Sequence, residues 1–282
     1  MKNTRFTTLY SKKSVLGKRK ESAKALLKGL PYPDINYRKR IIMRKLIRTI
    51  VLIVSIAVFC FSAYKLYDYY SEMKQGEDAV DELKNVAVTE VREGEKAPIS
   101  VDFAALKAEN PDIVAWLYSA DTPINYPVVQ SDDNNYYLRR LTDGSYNSNG
   151  TLFVDFRDAP DFSGFNTIIY GHRMKSKAMF GTLPGYLEQE YYEEHPVMYL
   201  LTPDASYKLE LVSSFILRSD SDIYDPMESD EAKNAFLDKM ASDSTFKSET
   251  EYSVNDRFVC LSTCTYEFEN ARLMVVGKLI KL

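Results

Sequence analysis

The sequence predicts a mostly β domain, an antiparallel barrel or sandwich, preceded by one transmembrane helix. Three observations support this fold class. An apolar run without charge lies at 49–64, short β-rich segments fill the region after residue 100, and the two sides of the apolar run carry opposite charge. Of the 282 residues, 45% are hydrophobic and 27% are charged, which is typical of a folded protein with one or two domains.

The net charge of −4 conceals two oppositely charged regions. Residues 1–48 contain fifteen Lys or Arg and two acids, Glu21 and Asp34, whereas the remainder contains 21 basic and 38 acidic residues. A dense basic segment beside an apolar run is typical of the cytoplasmic side of a membrane anchor. Nucleic-acid binding is the weaker interpretation, because nothing in the segment resembles a reading motif, and we expect no nucleic-acid partner.

The segment from Thr49 to Tyr64 is predicted to cross the membrane as a helix. It has sixteen residues without a charge, and Leu46, Ile47 and Leu66 extend it toward the ~20 apolar residues that span a bilayer. A buried core helix is the alternative, but the polar flanks and the basic segment favour an anchor. A cleaved signal peptide is disfavoured because 48 residues precede the run, which ends in the poor cleavage site Tyr64-Lys65-Leu66-Tyr67.

The excess of positive charge before the apolar run assigns the two sides of the membrane. We expect a basic cytoplasmic tail at 1–48, the transmembrane helix at 49–66, a juxtamembrane helix and linker at 67–100, and a folded extracytoplasmic domain at 101–282. The last of these regions is long enough to bury a single hydrophobic core.

The extracytoplasmic region is predicted to contain short strands and two helices. Ser100 or Asp102 is placed to cap a short helix that ends near Asn110, and Ser229 to Met240 has the spacing of one apolar helical face. Turn residues separate the β-rich runs, which favours mostly antiparallel pairing. These runs are 113–118, 124–129, 151–154, 167–170, 197–201, 207–217, 257–263 and 272–282.

Elimination leaves one of the three cysteines as a candidate nucleophile. Cys60 lies in the membrane run, where it is a small apolar residue. Cys260 and Cys264 lie on one predicted strand roughly 13 Å apart, whereas a disulfide requires Cα atoms within about 7 Å. We expect Cys260 to be a buried core thiol. Cys264 ends the strand and opens a polar loop, a position at which functional side chains are often displayed.

Arg272 and His172 are the candidate partners of Cys264. A short loop after Cys264 favours an antiparallel hairpin, which places Arg272 beside Cys264, where a cation favours the thiolate and binds an oxyanion. His195 lies between acids and a proline and is interpreted as a solvated loop residue. His172 follows a β-rich run and opens a loop, so it completes with Cys264 the minimum set for thiol catalysis.

Neither a cofactor nor a metal ion is expected from the sequence. It contains no C-x-x-C, H-E-x-x-H, P-loop, G-x-G-x-x-G or G-x-S-x-G motif. The spacing of Cys260 and Cys264 along one strand does not suit two ligands of the same ion.

The segments around these candidates resemble the sortase family. Leu261-Ser262-Thr263-Cys264 followed by Arg272 resembles the sortase signature, and Asn166 to His172 resembles the strand that ends in the catalytic histidine of that family. Class B sortases are the closer match, and the resemblance covers roughly residues 100–282. It continues, in the family's order, through segments 124–130, 133–138, 150–155, 179–181 and 264–268.

The resemblance implies an eight-stranded sortase-type β-barrel with peripheral helices, one of them the predicted helix from Ser229 to Met240. It also implies a membrane-anchored transpeptidase of the cysteine-peptidase class. Cys264 would attack the Thr carbonyl of a C-terminal sorting motif on a secreted protein. An amine of peptidoglycan, or of its lipid-linked precursor, would then resolve the thioacyl-enzyme.

The resemblance also implies roles for individual side chains. His172 would be the general acid and base, and Arg272 the ligand of the oxyanion or of a substrate carbonyl. Four residues are candidate substrate contacts, with Ser262 on the same strand face as Cys264: Ser262, Thr263, Asn134 and Tyr224. Two alternatives remain, a thiol hydrolase that delivers the acyl group to water and an inactive membrane-tethered binding module. The presence of Cys, His and Arg at their motif positions disfavours the second.

Overall fold

The computed structural model describes residue 17 and residues 35–91, 97–265 and 267–282. Most of the predicted basic tail (1–16 and 18–34), part of the predicted linker (92–96) and Tyr266 lie outside the described residues. The chain divides into two compact units, Met1–Tyr67 and Asp68–Leu282.

Helix α1 (Ile35–Ala87) contains the predicted transmembrane segment. In the first unit its residues 35–67 are all exposed, including the apolar side chains of the run at 49–64. A large exposed apolar surface is unfavourable in water and suits a lipid environment. By length and composition α1 is a candidate membrane span, in agreement with the predicted transmembrane helix.

The second unit begins with the last turns of α1, which bury Gly76, Val80, Leu83 and Ala87. A two-stranded antiparallel ladder of β1 (Val88–Glu90) and β2 (Ile99–Val101) follows. The short helix α2 (Phe103–Glu109) begins after Asp102, whose carboxylate accepts hydrogen bonds from the amides of Ala104 and Ala105 at 2.9 and 3.1 Å. Asp102, rather than Ser100, is therefore the cap of the predicted helix.

Eight strands of the described chain close into a barrel, with the order β10-β8-β7-β3-β4-β5-β6-β9. The predicted strand runs all reappear, and no end differs by more than one residue. Two further helices, α3 (Gln189–Glu194) and α4 (Asp230–Asp243), accompany the barrel. The strands are β3 (Ile113–Tyr118), β4 (Asn125–Val129), β5 (Leu152–Val154), β6 (Asn166–Tyr170), β7 (Val197–Leu201), β8 (Ser206–Arg218), β9 (Phe258–Cys264) and β10 (Ala271–Lys281).

Strand β9 is buried on both of its faces. Val259 and Leu261 point into the cluster that fills the barrel, whereas Phe258 and Cys260 belong to a second cluster beneath α4. Phe236 and Met240 of α4 are fully buried there, and such side chains contribute about 1.5–3 kcal/mol each. Coverage of both faces explains why β9 is a continuous apolar run rather than an alternating one.

Two of the strand pairings are parallel, although the sequence predicts mostly antiparallel pairing. Strand β4 pairs in parallel with β5, and β6 pairs in parallel with β9, whereas the other six neighbouring pairs of the barrel are antiparallel. The parallel pairing of β6 with β9 places the carboxyl ends of both strands at the same end of the barrel. The residues that follow β6 therefore lie next to the end of β9.

A loop between β4 and β5 folds back on the short 3₁₀ turn Tyr137–Arg139 and closes with Gly150. Gly150 has φ +60°, and a Cβ atom at this position would lie 2.6 Å from the carbonyl oxygen of Leu138 and 2.8 Å from that of Tyr137. Both the left-handed backbone and the close approach to other backbone atoms require glycine. Gly150 thus fixes how closely the loop approaches the Leu138 carbonyl.

Gly150→Ala is expected to destabilise the domain by about 3 kcal/mol or more, because strain at positive φ adds to overlap with backbone that has no room to move. Gly144→Ala is the matched control, since Gly144 has φ +81° but its Cβ would meet only the Tyr136 hydroxyl, at 3.4 Å. The control should cost about 1–2 kcal/mol. Urea unfolding followed by the fluorescence of Trp116, the single tryptophan of the chain, measures both. Equal losses for the two variants would contradict the prediction.

Candidate active site

Strand β9 and its two neighbours bring together the three residues that the sequence predicts to be catalytic. The last residue of β9, Cys264, pairs directly with Arg272 in the antiparallel register of β9 with β10. On the other side, Tyr170 of β6 pairs with Ser262, so His172, two residues beyond Tyr170, lies level with the end of β9. The predicted hairpin between Cys264 and Arg272 is confirmed. The parallel pairing of β6 with β9, which brings His172 to this end of the barrel, is a feature that the sequence alone does not reveal.

One cavity of about 300 Å³ collects the predicted site residues. Cys264, His172 and Arg272 line it together with all four predicted substrate contacts, Asn134, Tyr224, Ser262 and Thr263. The remaining lining residues are Leu138, Phe153, Arg157, Tyr170, Gly171 and Ser219. An open cavity of this size accommodates a few residues of an extended peptide.

The two thiols of β9 differ in burial. Cys260 is fully buried and Cys264 is partly exposed, and neither forms a disulfide. Burial raises the pKa of the Cys260 thiol well above its usual value, so this thiol remains protonated and inert. The prediction that Cys260 is a core residue is confirmed. Cys264 is the thiol that solvent and a substrate can reach.

The imidazole of His172 is held by a main-chain oxygen. Its Nε2 atom lies 2.7 Å from the carbonyl oxygen of Leu138. A carbonyl oxygen can only accept a hydrogen bond, so Nε2 carries the proton. In the neutral ring Nδ1 is then the atom that is free to take up a proton. The Leu138 carbonyl therefore selects one tautomer of His172.

Arg272 lies on β10 opposite Cys264. Directly paired residues of antiparallel strands project from the same face with Cβ atoms about 5 Å apart. The guanidinium donates through one Nη atom to the carbonyl of Ala271, at 3.1 Å. A guanidinium carries five N–H donors, so others are available to an anionic or carbonyl oxygen in the cavity.

Ser262 and Tyr224 meet on one wall of the cavity. Their hydroxyl groups lie 2.9 Å apart, and the ring of Tyr170 stacks on that of Tyr224 with centroids 6.1 Å apart. Burial raises the pKa of Tyr224 to about 12, so the phenol keeps its proton at neutral pH. Thr263 has another partner, because its hydroxyl donates to the Gly171 carbonyl at 2.7 Å.

A buried carboxylate, Asp155, supports several of the residues that line the cavity. It is 1% exposed and accepts hydrogen bonds from Asn134 at 3.0 Å, from the Tyr170 hydroxyl at 2.9 Å and from two nitrogens of Arg157, both at 2.9 Å. Burial works to raise the pKa of Asp155, but the hydrogen bonds from Arg157, Asn134 and Tyr170 outweigh it and hold the pKa below its usual value. Arg157 also donates to the Tyr224 carbonyl at 2.6 Å.

Six of the lining residues were not predicted as site residues, and among these Leu138, Arg157 and Tyr170 form hydrogen bonds to predicted ones or to their partners. Leu138 acts through its backbone, for which the sequence carries no side-chain signal. Tyr170 immediately precedes Gly171 and His172, and Arg157 follows Asp155 by two residues. Their closeness to these motif residues was the only sequence signal that could have indicated a place in the site. Within the described residues, no group of three or more His, Cys, Asp or Glu side chains has the arrangement needed to hold a metal ion.

A partly exposed thiol with an imidazole and a guanidinium around a peptide-sized cavity is the arrangement expected of a thiol-dependent acyl-transfer enzyme. The Sortase domain family model matches residues 119–280 of the chain. Sortase B of Staphylococcus aureus (strain NCTC 8325 / PS 47) is 31% identical over 237 residues, which cover 83% of this chain and 97% of that protein. Sortase B of Listeria monocytogenes serovar 1/2a is 33% identical over 236 residues, covering 81% and 94%.

Among solved structures, sortase B from Bacillus anthracis in complex with AAEK1 superposes with a TM-score of 0.67 at 33% identity. The match covers 76% of this chain and 100% of that chain. The chain therefore belongs to the sortase family, and the relatives that it matches along most of its length are of class B. The eight-stranded barrel implied by the resemblance is confirmed.

Asp155→Asn is expected to loosen the cavity wall, because an amide cannot satisfy the same set of donors and leaves Arg157 without its buried partner. We expect a loss of about 2–3 kcal/mol of folding free energy. Asp225→Asn is the matched control, since Asp225 also pairs with Arg157 but its side chain is 71% exposed. The control should cost less than about 0.5 kcal/mol. A similar loss for both variants in urea unfolding would contradict the buried role of Asp155.

Asp158 lies three residues further on and shows the opposite pKa shift. Burial, together with the nearby Asp155, raises the pKa of Asp158 to about 6, although its carboxylate accepts the Ile168 amide at 2.7 Å. A folded-state pKa above the unfolded value of about 3.9 means that stability is complete below pH ~4 and declines as the pH rises through ~6. Ionisation of Asp158 therefore destabilises the domain at neutral pH.

Asp158→Asn is expected to stabilise the domain at pH 8 by about 1 kcal/mol, less than the full shift implies because the carboxyl is partly solvated. The asparagine oxygen still accepts from Ile168. Urea unfolding of the variant and the parent at several pH values tests this, and the difference should shrink as the pH falls from 6 to 4. A difference that does not vary with pH would contradict the assignment.

Proposed function

We propose that this chain is a membrane-anchored cysteine transpeptidase that joins secreted proteins to the cell wall. It cleaves a C-terminal sorting signal after Thr and transfers the Thr carbonyl to an amine of peptidoglycan or of its lipid-linked precursor. The observation that carries the proposal is the placement of Cys264 on β9 between Arg272 of β10 and His172 after β6, around one cavity.

The first half-reaction is acylation of the enzyme. The thiol proton of Cys264 passes to His172 as the sulfur attacks the Thr carbonyl carbon, and the guanidinium of Arg272 stabilises the negative charge that develops on the carbonyl oxygen. His172 donates a proton to the nitrogen of the scissile bond, which leaves as an amine with the downstream peptide. The upstream protein is then held on Cys264 as a thioester.

In the second half-reaction a wall-derived amine attacks the thioester carbonyl. His172 accepts the proton from the attacking nitrogen, a new amide bond forms, and Cys264 is released. Water competes with the amine at this step. Transfer rather than hydrolysis therefore requires that the amine bind close to the thioester, an advantage of orientation that water lacks.

Four residues are proposed to hold the sorting peptide: Asn134, Tyr224, Ser262 and Thr263. The support is that all four line the cavity with Cys264. Asn134 and Tyr224 are further supported by their links to the Asp155–Arg157 pair, which restrict their movement. Thr263 contributes mainly through its position, because its hydroxyl is occupied by Gly171.

The proposed topology follows the charge asymmetry. Residues 1–48 are cytoplasmic, residues 49–66 cross the membrane, residues 67–100 form a juxtamembrane helix and linker, and the sortase domain at 101–282 is extracellular. The candidate span in α1 and the excess of Lys and Arg before it support this arrangement. The secreted substrate and the cell-wall acceptor are then on the same side as Cys264.

Trapping of the thioacyl intermediate tests the proposal with the full chain in detergent. A panel of sorting peptides should leave an acyl group on Cys264, detected by mass spectrometry, and wall fragments with a free amine should convert it to an amide product. Cys264→Ala should abolish both signals. Cys260→Ala is the matched control on the same strand and should keep both.

Two outcomes would overturn this assignment. An acyl group found elsewhere, or activity that survives in Cys264→Ala, would exclude Cys264 as the nucleophile. Water as the only acceptor in the presence of amine-bearing fragments would identify a thiol hydrolase instead of a transpeptidase.

A further inference from the structure

The end of helix α1 contacts the loop that supports His172. Both belong to the second compact unit, Asp68–Leu282. Asn147 in this loop is fully buried, and its Nδ2 donates to the carbonyl of Glu72 at 2.8 Å and to Oε1 of Gln75 at 3.4 Å. Gly76 allows this close approach, since a Cβ atom there would lie 2.6 Å from the side chain of Asn149.

Asn147 also forms hydrogen bonds within the loop. Its amide donates to the carbonyl of Arg139 at 3.1 Å, and its side-chain oxygen accepts the amide of Asn149 at 2.9 Å. Nearby, the amide of Thr151 donates to the carbonyl of Tyr137 at 3.1 Å. The carbonyl groups of Tyr137 and Arg139, on either side of Leu138, are therefore bound by amides from the later part of the loop.

The Leu138 carbonyl, between these two, is the one that accepts from Nε2 of His172 at 2.7 Å. Three successive carbonyl groups thus have fixed partners: an amide, the imidazole and an amide. The Leu138 and Arg139 carbonyls belong to adjacent planar peptide units that share the Cα atom of Arg139, so we expect a shift of the Arg139 carbonyl to change the direction of the Leu138 oxygen.

We propose that Asn147 is a positioning residue that makes helix α1 a support for the imidazole of His172. It anchors the Arg139 carbonyl to the helix, the Leu138 carbonyl keeps its direction, and Nε2–H of His172 stays bound. Nδ1 is then the ring atom that exchanges protons with the reacting groups. The proposal rests on the proposed role of His172 as general acid and base.

A purely structural role for Asn147 predicts something different. Loss of any comparable contact between the helix and the loop would then lower stability and leave the ring unaffected. Ser148 offers such a contact, because its hydroxyl donates to the carboxylate of Glu72, the helix residue whose carbonyl Asn147 binds. No hydrogen bond of the Ser148 side chain involves the carbonyl groups of residues 137–139, so Ser148→Ala is the matched control.

The test uses the full chain in detergent with ¹⁵N-labelled histidine. The chain has only two histidines, and His195→Gln assigns the His172 signals. In the parent at pH 8 the long-range ¹H–¹⁵N spectrum should show Nε2–H as the dominant tautomer. Asn147→Ala should give a mixture of tautomers and lower kcat about tenfold, while KM changes less than about twofold because the peptide-binding wall is untouched.

Ser148→Ala should keep the parental spectrum and kcat. Gly76→Ala, which pushes on Asn149 from the helix, provides a second perturbation and should reproduce the tautomer mixture if Asn147→Ala does not fold. Parental ring spectra in the variants that fold would overturn the proposal, even if kcat falls. The spectrum requires no turnover. If the chain lacks transpeptidase activity, the proposed function is refuted, but the ring spectra of the variants still test whether Asn147 positions His172.

Discussion

The position of β9 between a parallel and an antiparallel neighbour is the constraint on which the rest of the site depends. The antiparallel partner β10 brings Arg272 opposite Cys264, and the parallel partner β6 brings His172 to the same end of the barrel. Beyond β6, the amide of Gly171 donates to the Ser262 carbonyl, and the carbonyl of Gly171 accepts from the Thr263 hydroxyl. The three candidate catalytic groups are therefore placed by main-chain pairing in a closed barrel, which is more rigid than a set of loops.

Two of the four candidate recognition residues depend on a second, separate support, whereas Ser262 and Thr263 lie on β9 itself. Asn134 and Tyr224 come from segments outside the barrel strands and are held by Asp155 and Arg157. A buried ion pair of this kind adds little net stability compared with apolar packing, but it restricts the geometry of the groups bound to it. Asn134 can thus change without disturbing β9, and the catalytic groups remain where the barrel places them.

Much of the fold and part of the site could be predicted from the sequence, for identifiable reasons. The strands were predictable because burial and turn chemistry act locally, and the hairpin of Cys264 with Arg272 was predictable because its loop is short. The parallel contact of β6 with β9 was not, since it joins segments about ninety residues apart and no local pattern encodes it. The Leu138 carbonyl was equally invisible, because any residue type offers the same oxygen.

The hydrogen bond between Ser262 and Tyr224 bears on the proposed contact of these residues with a peptide. The two hydroxyl groups form a hydrogen bond with each other. A substrate that uses either hydroxyl must replace this bond with one of its own, and such an exchange changes the free energy by little when the new bond is equally good. A peptide that lacks a suitable polar group leaves the original bond intact and gains nothing from this wall. The pair would therefore add little to the affinity of a peptide, and it would penalise only a peptide that breaks this bond without replacing it.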